Sequence, residues 1–413
     1  VLAAGPGRPV NRFKAALLAS AAAVAALPLL AGPLIRAQAT DAAQSRRLVP
    51  VRGHGHGHGQ QDSRMYLDFD PAGFAAHPGR LSMRAASGGE LIVLGPPVLE
   101  PPAAIHATPH RALPGQPLRG LRRAVERGDP ARVLRDGKGQ LSGHLGETPA
   151  DFGFRYEDVQ IGGLPAWVIP AEGPGDVWVI HVHGLGSSRS QCLRGVRAFS
   201  RLGYTSLLPS YRTSLDLPGR QRRSHLGVSE WTEIEAARRY ALACGARRII
   251  FVGWSLGASI VARVLQESPD GSTAGALLVS PALDWPAIIT AHLRKAGCPE
   301  FAARWLPSTV NILRPRGEPV IRWHQMPGVT MQSYPATPTM ILHGSDDQSV
   351  PVELSRIFAS RHLASVQLIE FAGAHHTLEW NSAPALWDEA VTAWCHSLGL
   401  AGEHSIEDFS EAK

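Results

Sequence analysis

Gly253-Trp254-Ser255-Leu256-Gly257 decides how this chain reads. The five residues fit G-x-S-x-G, the pattern in which a serine sits on a strained turn between a strand and a helix. Ile249, Ile250, Phe251 and Val252 precede it as a short apolar, partly β-branched run, which predicts a strand. Ala258, Ile260, Val261 and Val264 follow at helical spacing. A side chain at either glycine would crowd a turn that projects the serine hydroxyl outward. Ser255 is therefore the candidate nucleophile.

A serine hydroxyl needs a base, and an imidazole base needs a carboxylate to fix its tautomer. Two later segments can supply them. His343-Gly344-Ser345-Asp346-Asp347-Gln348-Ser349-Val350-Pro351 follows a strand expected at Thr339–Leu342. Gly373-Ala374-His375-His376-Thr377 follows one expected at Val366–Phe371. The chain order Ser, Asp, His is that of α/β-hydrolases, not of chymotrypsin-like or subtilisin-like proteases.

From about Asp151 apolar strands alternate with helical patterns, the signature of a mainly parallel sheet covered on both faces. Strands are expected at Val177–Val182, Thr205–Leu208 and Gly275–Val279, in addition to those flanking the motifs. Helices are expected at Ser188–Leu202, Ser229–Cys244, Pro351–His362 and Pro384–Trp394. Every chemical candidate then falls at the carboxyl end of a strand, where open α/β sheets bind ligands.

Residues 150–398 resemble an α/β-hydrolase. The superfamily's H-G-x-x-D-x-x-V-P pattern is matched by His343–Pro351 and marks Asp347 as the triad acid, with Asp346 and Asp284 as fallbacks. Its G-x-x-H pattern selects His376, with His375 as the neighbouring alternative. The resemblance also places the oxyanion loop at His183-Gly184-Leu185-Gly186, so the backbone N–H groups of Leu185 and Leu256 become the oxyanion candidates. This loop departs from the HGGG form of many lipases, and His183 is expected to hold the loop and take no part in the chemistry. Asp284–Ala336, long for a connection and rich in Trp285, Ile288, Ile289, Leu293, Phe301, Trp305 and Leu306, corresponds to a superfamily cap insertion. An apolar cap suits an acyl or aromatic substrate.

The chain more closely resembles bacterial hydrolases with an N-terminal membrane segment. Thr148–Val159 (TPADFGFRYEDV), His225–Leu242, Pro281–Trp285 (PALDW) and His376–Asn381 (HTLEWN) carry that similarity. It implies a serine hydrolase but no particular substrate. The expected activity is cleavage of a carboxylic ester through an acyl-enzyme. Alternatives on the same residues are thioesterase, acyltransferase or serine aminopeptidase-like chemistry, or a non-catalytic surface binding module.

The front of the chain reads differently. Ala15–Ile35 is an uncharged run preceded by Arg8, Arg12 and Lys14 and closed by Arg36. It is expected to be a transmembrane anchor or an export signal cut after Ala37-Gln38-Ala39, placing the rest of the chain at or beyond a membrane. The expected divisions are thus an anchor or signal over 1–39, a Gly/His-rich linker over 40–62, and a β-rich, loop-rich extension over 63–150. The hydrolase domain follows over 151–400, then a polar disordered tail over 401–413. Within the extension, Leu81–Arg84 and Glu90–Leu94 are expected to pair as a hairpin. His54, His56 and His58 alternate with glycine and are assigned to flexible linker, not to a metal. No cofactor is expected. Net charge is +6, but no basic stripe with interleaved aromatics supports nucleic-acid binding. Cys192, Cys244, Cys298 and Cys395 form no CxxC pair, so mostly free thiols are expected, with a disulfide open to an exported domain.

Overall fold

Val177–Val182 forms a strand buried at all six positions. Such continuous burial is what a parallel strand covered on both faces requires, and it explains the unbroken apolar run. The computed structural model describes residues 31, 33–37, 39–40, 48–56, 64–71, 73–99, 121–172, 175–221, 223–312, 320–321, 323, 334 and 336–400. Fifteen strands among these form two sheets.

The first sheet contains β1 (Leu48–Pro50), β2 (Gly53–His56), β3 (Met65–Phe69), β4 (Leu81–Ala85), β5 (Leu91–Leu99), β6 (Leu121–Arg127) and β7 (Lys138–Ser142). Their order is β1-β7-β4-β5-β6-β3-β2 and every pairing is antiparallel. The expected hairpin is present as β4 and β5. The expected linker is corrected: Gly53–His56 is an edge strand, with His54 opposite Leu67 and His56 opposite Met65. Main-chain pairing with β3 orders a stretch whose own side chains favour no strand. The sheet therefore begins at Leu48, ahead of the boundary expected at residue 63. Its core is Leu67, Phe69, Met83, Ile92, Leu94 and Leu121 with their neighbours.

The second sheet runs β15-β14-β13-β12-β10-β11-β9-β8. Its strands are β8 (Glu157–Ile161), β9 (Leu164–Ile169), β10 (Val177–Val182), β11 (Thr205–Pro209), β12 (Arg248–Trp254), β13 (Thr273–Val279), β14 (Thr339–Gly344) and β15 (Val366–Phe371). Strands β10 to β15 are parallel, and β9 joins β11 antiparallel. The β8–β9 hairpin turns on Gly162 and Gly163, whose φ values of 58° and 81° suit a two-residue turn. One face buries Phe251, Ile180 and Leu278 against the helices Trp231–Ala243 and Leu256–Glu267. The other buries Val179, Val252 and Leu277 against Leu193–Arg201 and Pro384–Ser397. This is the α/β-hydrolase fold. Helices Trp285–Lys295 and Glu300–Trp305 occupy the insertion after β13.

All four cysteines are free thiols. No helix among the described residues is long and apolar enough to cross a membrane. Residues 1–30, which hold most of the apolar N-terminal run, and the tail over 401–413 lie outside the described residues, as does His58.

Candidate active site

Ser255 follows β12 and precedes the helix Leu256–Glu267. Its backbone sits at φ 54°, ψ −112°, a conformation that a non-glycine residue holds only where its surroundings enforce it. The flanking glycines explain how. A Cβ on Gly253 would lie 2.7 Å from Ala258 Cα, and one on Gly257 would run into the carbonyl of Val182. Both glycines are thus required by close backbone approach, whereas Ser255 itself carries the strained turn.

His376 Nε2 lies 2.9 Å from Ser255 Oγ, and His376 Nδ1 lies 2.6 Å from Asp347 Oδ2. Asp347 is buried in the loop after β14. Its Oδ1 accepts from Ser349 N at 2.7 Å and Val350 N at 2.8 Å. Its Oδ2 is shared with His343 Nε2 at 3.1 Å, and His343 Nδ1 accepts from Ser355 Oγ at 2.7 Å. The first histidine of H-G-x-x-D-x-x-V-P therefore orients the aspartate.

Charge follows geometry. Burial would raise the Asp347 carboxyl, but the charge and hydrogen bonds of His376, with those of His343, hold it well below the usual carboxylate range. Burial lowers His376, yet the adjacent Asp347 outweighs it and sets the imidazole above its ordinary value of 6.5.

The alternatives lie elsewhere. Asp346 is exposed and accepts from Ser345 Oγ at 3.3 Å. Asp284 caps the helix Trp285–Lys295 by accepting from Ala287 N at 2.9 Å. His375 faces His77, with ring centroids 5.2 Å apart, and burial lowers its proton affinity. His183 is a loop support: it stacks on Tyr211 at 4.1 Å, and burial depresses it to about 4, so it is neutral near pH 7.

Leu256 is the first residue of its helix, so its N–H is among those that a helix leaves without an internal acceptor. Leu185 lines the same cavity as Ser255 and His376. The N–H of Gly184 is already used, donating to Gln191 Oε1 at 2.7 Å.

Several supporting residues escape the motif reading. Ser280 Oγ accepts from Thr377 N at 3.1 Å and donates to Glu379 Oε1 at 2.5 Å, and Gly344 N donates to the same oxygen at 3.0 Å. Burial raises the Glu379 carboxyl. Ser280 at φ 44° and Thr377 at φ 56° share the left-handed backbone of Ser255, so three strained residues meet here. Asn381 Nδ2 donates to Arg80 O at 2.8 Å and Gly143 O at 3.0 Å, tying the His376 loop to the first sheet. Arg194 Nη1 donates to Thr377 O at 2.9 Å and also to Asn381 Oδ1. Glu379 and Asn381 stand within HTLEWN, so a signal for them was present. Gln191, Arg194 and Ser280 had none, because their partners are distant in sequence.

The cavity over Ser255 and His376 has a volume of about 580 Å³ and includes Trp285, Ile288, Ile289 and Leu293 from the insertion after β13. Among solved structures, an esterase of Pyrococcus furiosus is 22% identical with a TM-score of 0.48, over 61% of this chain and 94% of that one. TT1662 from Thermus thermophilus is 17% identical with a TM-score of 0.44, over 59% and 98%. Est1E from Butyrivibrio proteoclasticus, with ferulic acid bound, gives the same identity, TM-score and coverage. A search of curated proteins returned no match. The sequence profile described as "Alpha/beta hydrolase family" matches residues 179–390, just over half of the chain and the span that carries Ser255, Asp347 and His376, and the chain belongs to that family.

Proposed function

We propose that this protein is a serine hydrolase that cleaves carboxylic esters through an acyl-enzyme. The observation carrying this reading is the unbroken relay from Ser255 Oγ through His376, at 2.9 Å, to Asp347, at 2.6 Å. Ser255 Oγ attacks the carbonyl carbon as its proton passes to His376 Nε2. The Nδ1–H of His376 donates to Asp347, which stays ionised and stabilises the imidazolium. The N–H groups of Leu185 and Leu256 receive the oxyanion. His376 then gives its proton to the leaving alkoxide, and the acyl group remains on Ser255. Water attacks that ester while His376 takes its proton, and collapse returns the acid and restores the serine hydroxyl. The strained backbone at Ser255, Ser280 and Thr377 supports the reading, since such strain persists where a site is held in place.

Mixing the protein with a p-nitrophenyl ester tests this. The expected result is a p-nitrophenol burst equal to the enzyme concentration wherever deacylation is slower than acylation, followed by steady turnover. Ser255→Ala should abolish both. Turnover of thioesters alone would move the activity to a thioesterase, and absence of turnover with every acyl donor would favour a binding module. The reading also includes attachment to or export across a membrane through the part of the apolar N-terminal run that precedes Leu34, which fractionation of cells expressing the full chain would check.

A further inference from the structure

Helical residues 33–37 and 39–40 border the active-site cavity. Leu34, Ile35 and Ala39 line it together with Ser255 and His376. Ile35 packs against the buried cluster that includes Trp285 and Ile288. Two buried polar residues hold the segment. Arg36, only 3% exposed, donates through Nη1 to Asn311 Oδ1 at 3.3 Å, and Asn311 in turn bonds both the N–H and the carbonyl of Ile321 in the insertion. Thr40, 1% exposed, donates through Oγ1 to Arg36 O at 2.8 Å and accepts through its carbonyl from Ser224 N at 2.8 Å. Leu34 is 70% exposed, an apolar side chain left beside the cavity.

The cavity's lining is mostly apolar. No Asp, Glu, Lys or Arg among the described residues lines it. His292, its one imidazole besides His376, is engaged with Ser349 O at 2.8 Å. A charged terminus of a peptide would find no counter-charge there, and leaving a charge unpaired on burial is costly. An aliphatic chain would lose water against Leu34, Ile35, Trp285, Ile288, Ile289 and Leu293.

We propose that Leu34, Ile35 and Ala39 are a fixed wall of the substrate pocket, and that the substrate is an ester bearing an extended aliphatic chain that lies against Leu34, Ile35 and the insertion's Ile288 and Ile289. This rests on the serine-hydrolase reading and adds its substrate class. It also separates the two N-terminal alternatives. A cut after Ala39 would remove all three wall residues, so the functional chain retains this segment.

The test uses the full chain with p-nitrophenyl acetate, butyrate and octanoate. Each methylene taken out of water should raise kcat/KM by about fourfold until the pocket is full. Leu34→Asp places a charge in the wall at an exposed position, and should lower the octanoate-to-acetate ratio of kcat/KM at least tenfold. Ile35→Ala should lower it severalfold. Leu363→Asp alters another exposed leucine, away from the cavity, and should leave the ratio as it is. Labelling by a small fluorophosphonate reports that each variant is folded. An unchanged ratio, or an equal loss on all three esters, overturns the wall. If the parent chain is neither labelled nor turns over any ester, the hydrolase reading fails first and this inference falls with it.

Discussion

The strand ends of the second sheet and the first 150 residues build one site by opposite means. At the strand ends, each functional residue sits in a short local pattern. Ser255 lies between Gly253 and Gly257, Asp347 four residues after His343, and His376 immediately before a strained Thr377. In the front half, the contribution is made by contacts across the whole chain. Leu34 and Ile35 reach the cavity beside the insertion, and Arg80 and Gly143 hold Asn381. The difference teaches that chemistry here is encoded locally, whereas the pocket and its buttress are encoded by packing.

The largest expected effect falls on the local side. Asp347→Asn keeps the shape but loses the charge that fixes the His376 tautomer, and kcat should fall on the order of 10³–10⁴-fold. Its pH profile gives the sign. His376 must be neutral to accept the serine proton, and in the parent its proton affinity lies above the ordinary 6.5 because Asp347 outweighs burial. The acid limb of kcat/KM should therefore have its midpoint above that value. Without the Asp347 carboxylate, burial is opposed only by the smaller effect of Glu379, and the midpoint should move to lower pH. A midpoint that stays in place would break the assignment.

Gly257→Ala should cost about 1–3 kcal/mol of unfolding stability, because its Cβ meets the Val182 carbonyl. Gly271 has nothing within 4 Å of a built Cβ, and Gly271→Ala should change stability by less than about 0.5 kcal/mol. Denaturant midpoints measure both.

Asn381→Ala tests the packing side. It leaves the Arg80 and Gly143 carbonyls without their donor and should cost about 1–3 kcal/mol. Because Asn381 also holds Arg194, which bonds the Thr377 carbonyl, kcat should fall more than KM rises. Stability loss with unchanged kcat would confine the first sheet to a structural role. The smallest effect belongs to His54→Ala. That side chain is exposed on an edge strand paired through its main chain, so stability should shift by less than about 0.5 kcal/mol.

The same contrast explains what was legible in the sequence. Val177–Val182 is a strand with the bounds read from its apolar run, because burial on both faces leaves an unbroken signature, and Val366–Phe371 keeps its expected bounds as a partly exposed edge strand. The Ser255, Asp347 and His376 segments were readable because each carries a backbone requirement or a fixed spacing. Gly53–His56 was not, since its strand is made by β3 and not by its own residues. The β8–β9 hairpin went unread although Gly162-Gly163 marks its turn. Leu34 and Ile35 read only as the end of an apolar run, because nothing local distinguishes a segment that enters a membrane from one that seats against a cavity. Arg36 carried the only hint: a buried arginine needs an acceptor, and Asn311 stands 275 residues away.

The central claim is that Ser255 is the nucleophile, activated by His376. Incubating the full chain with a fluorophosphonate and locating the adduct by peptide mass spectrometry tests it most directly. The account predicts a single adduct on the peptide carrying Gly253–Gly257, lost in Ser255→Ala and slowed in His376→Ala. An adduct on another residue, or labelling that survives Ser255→Ala, would contradict it.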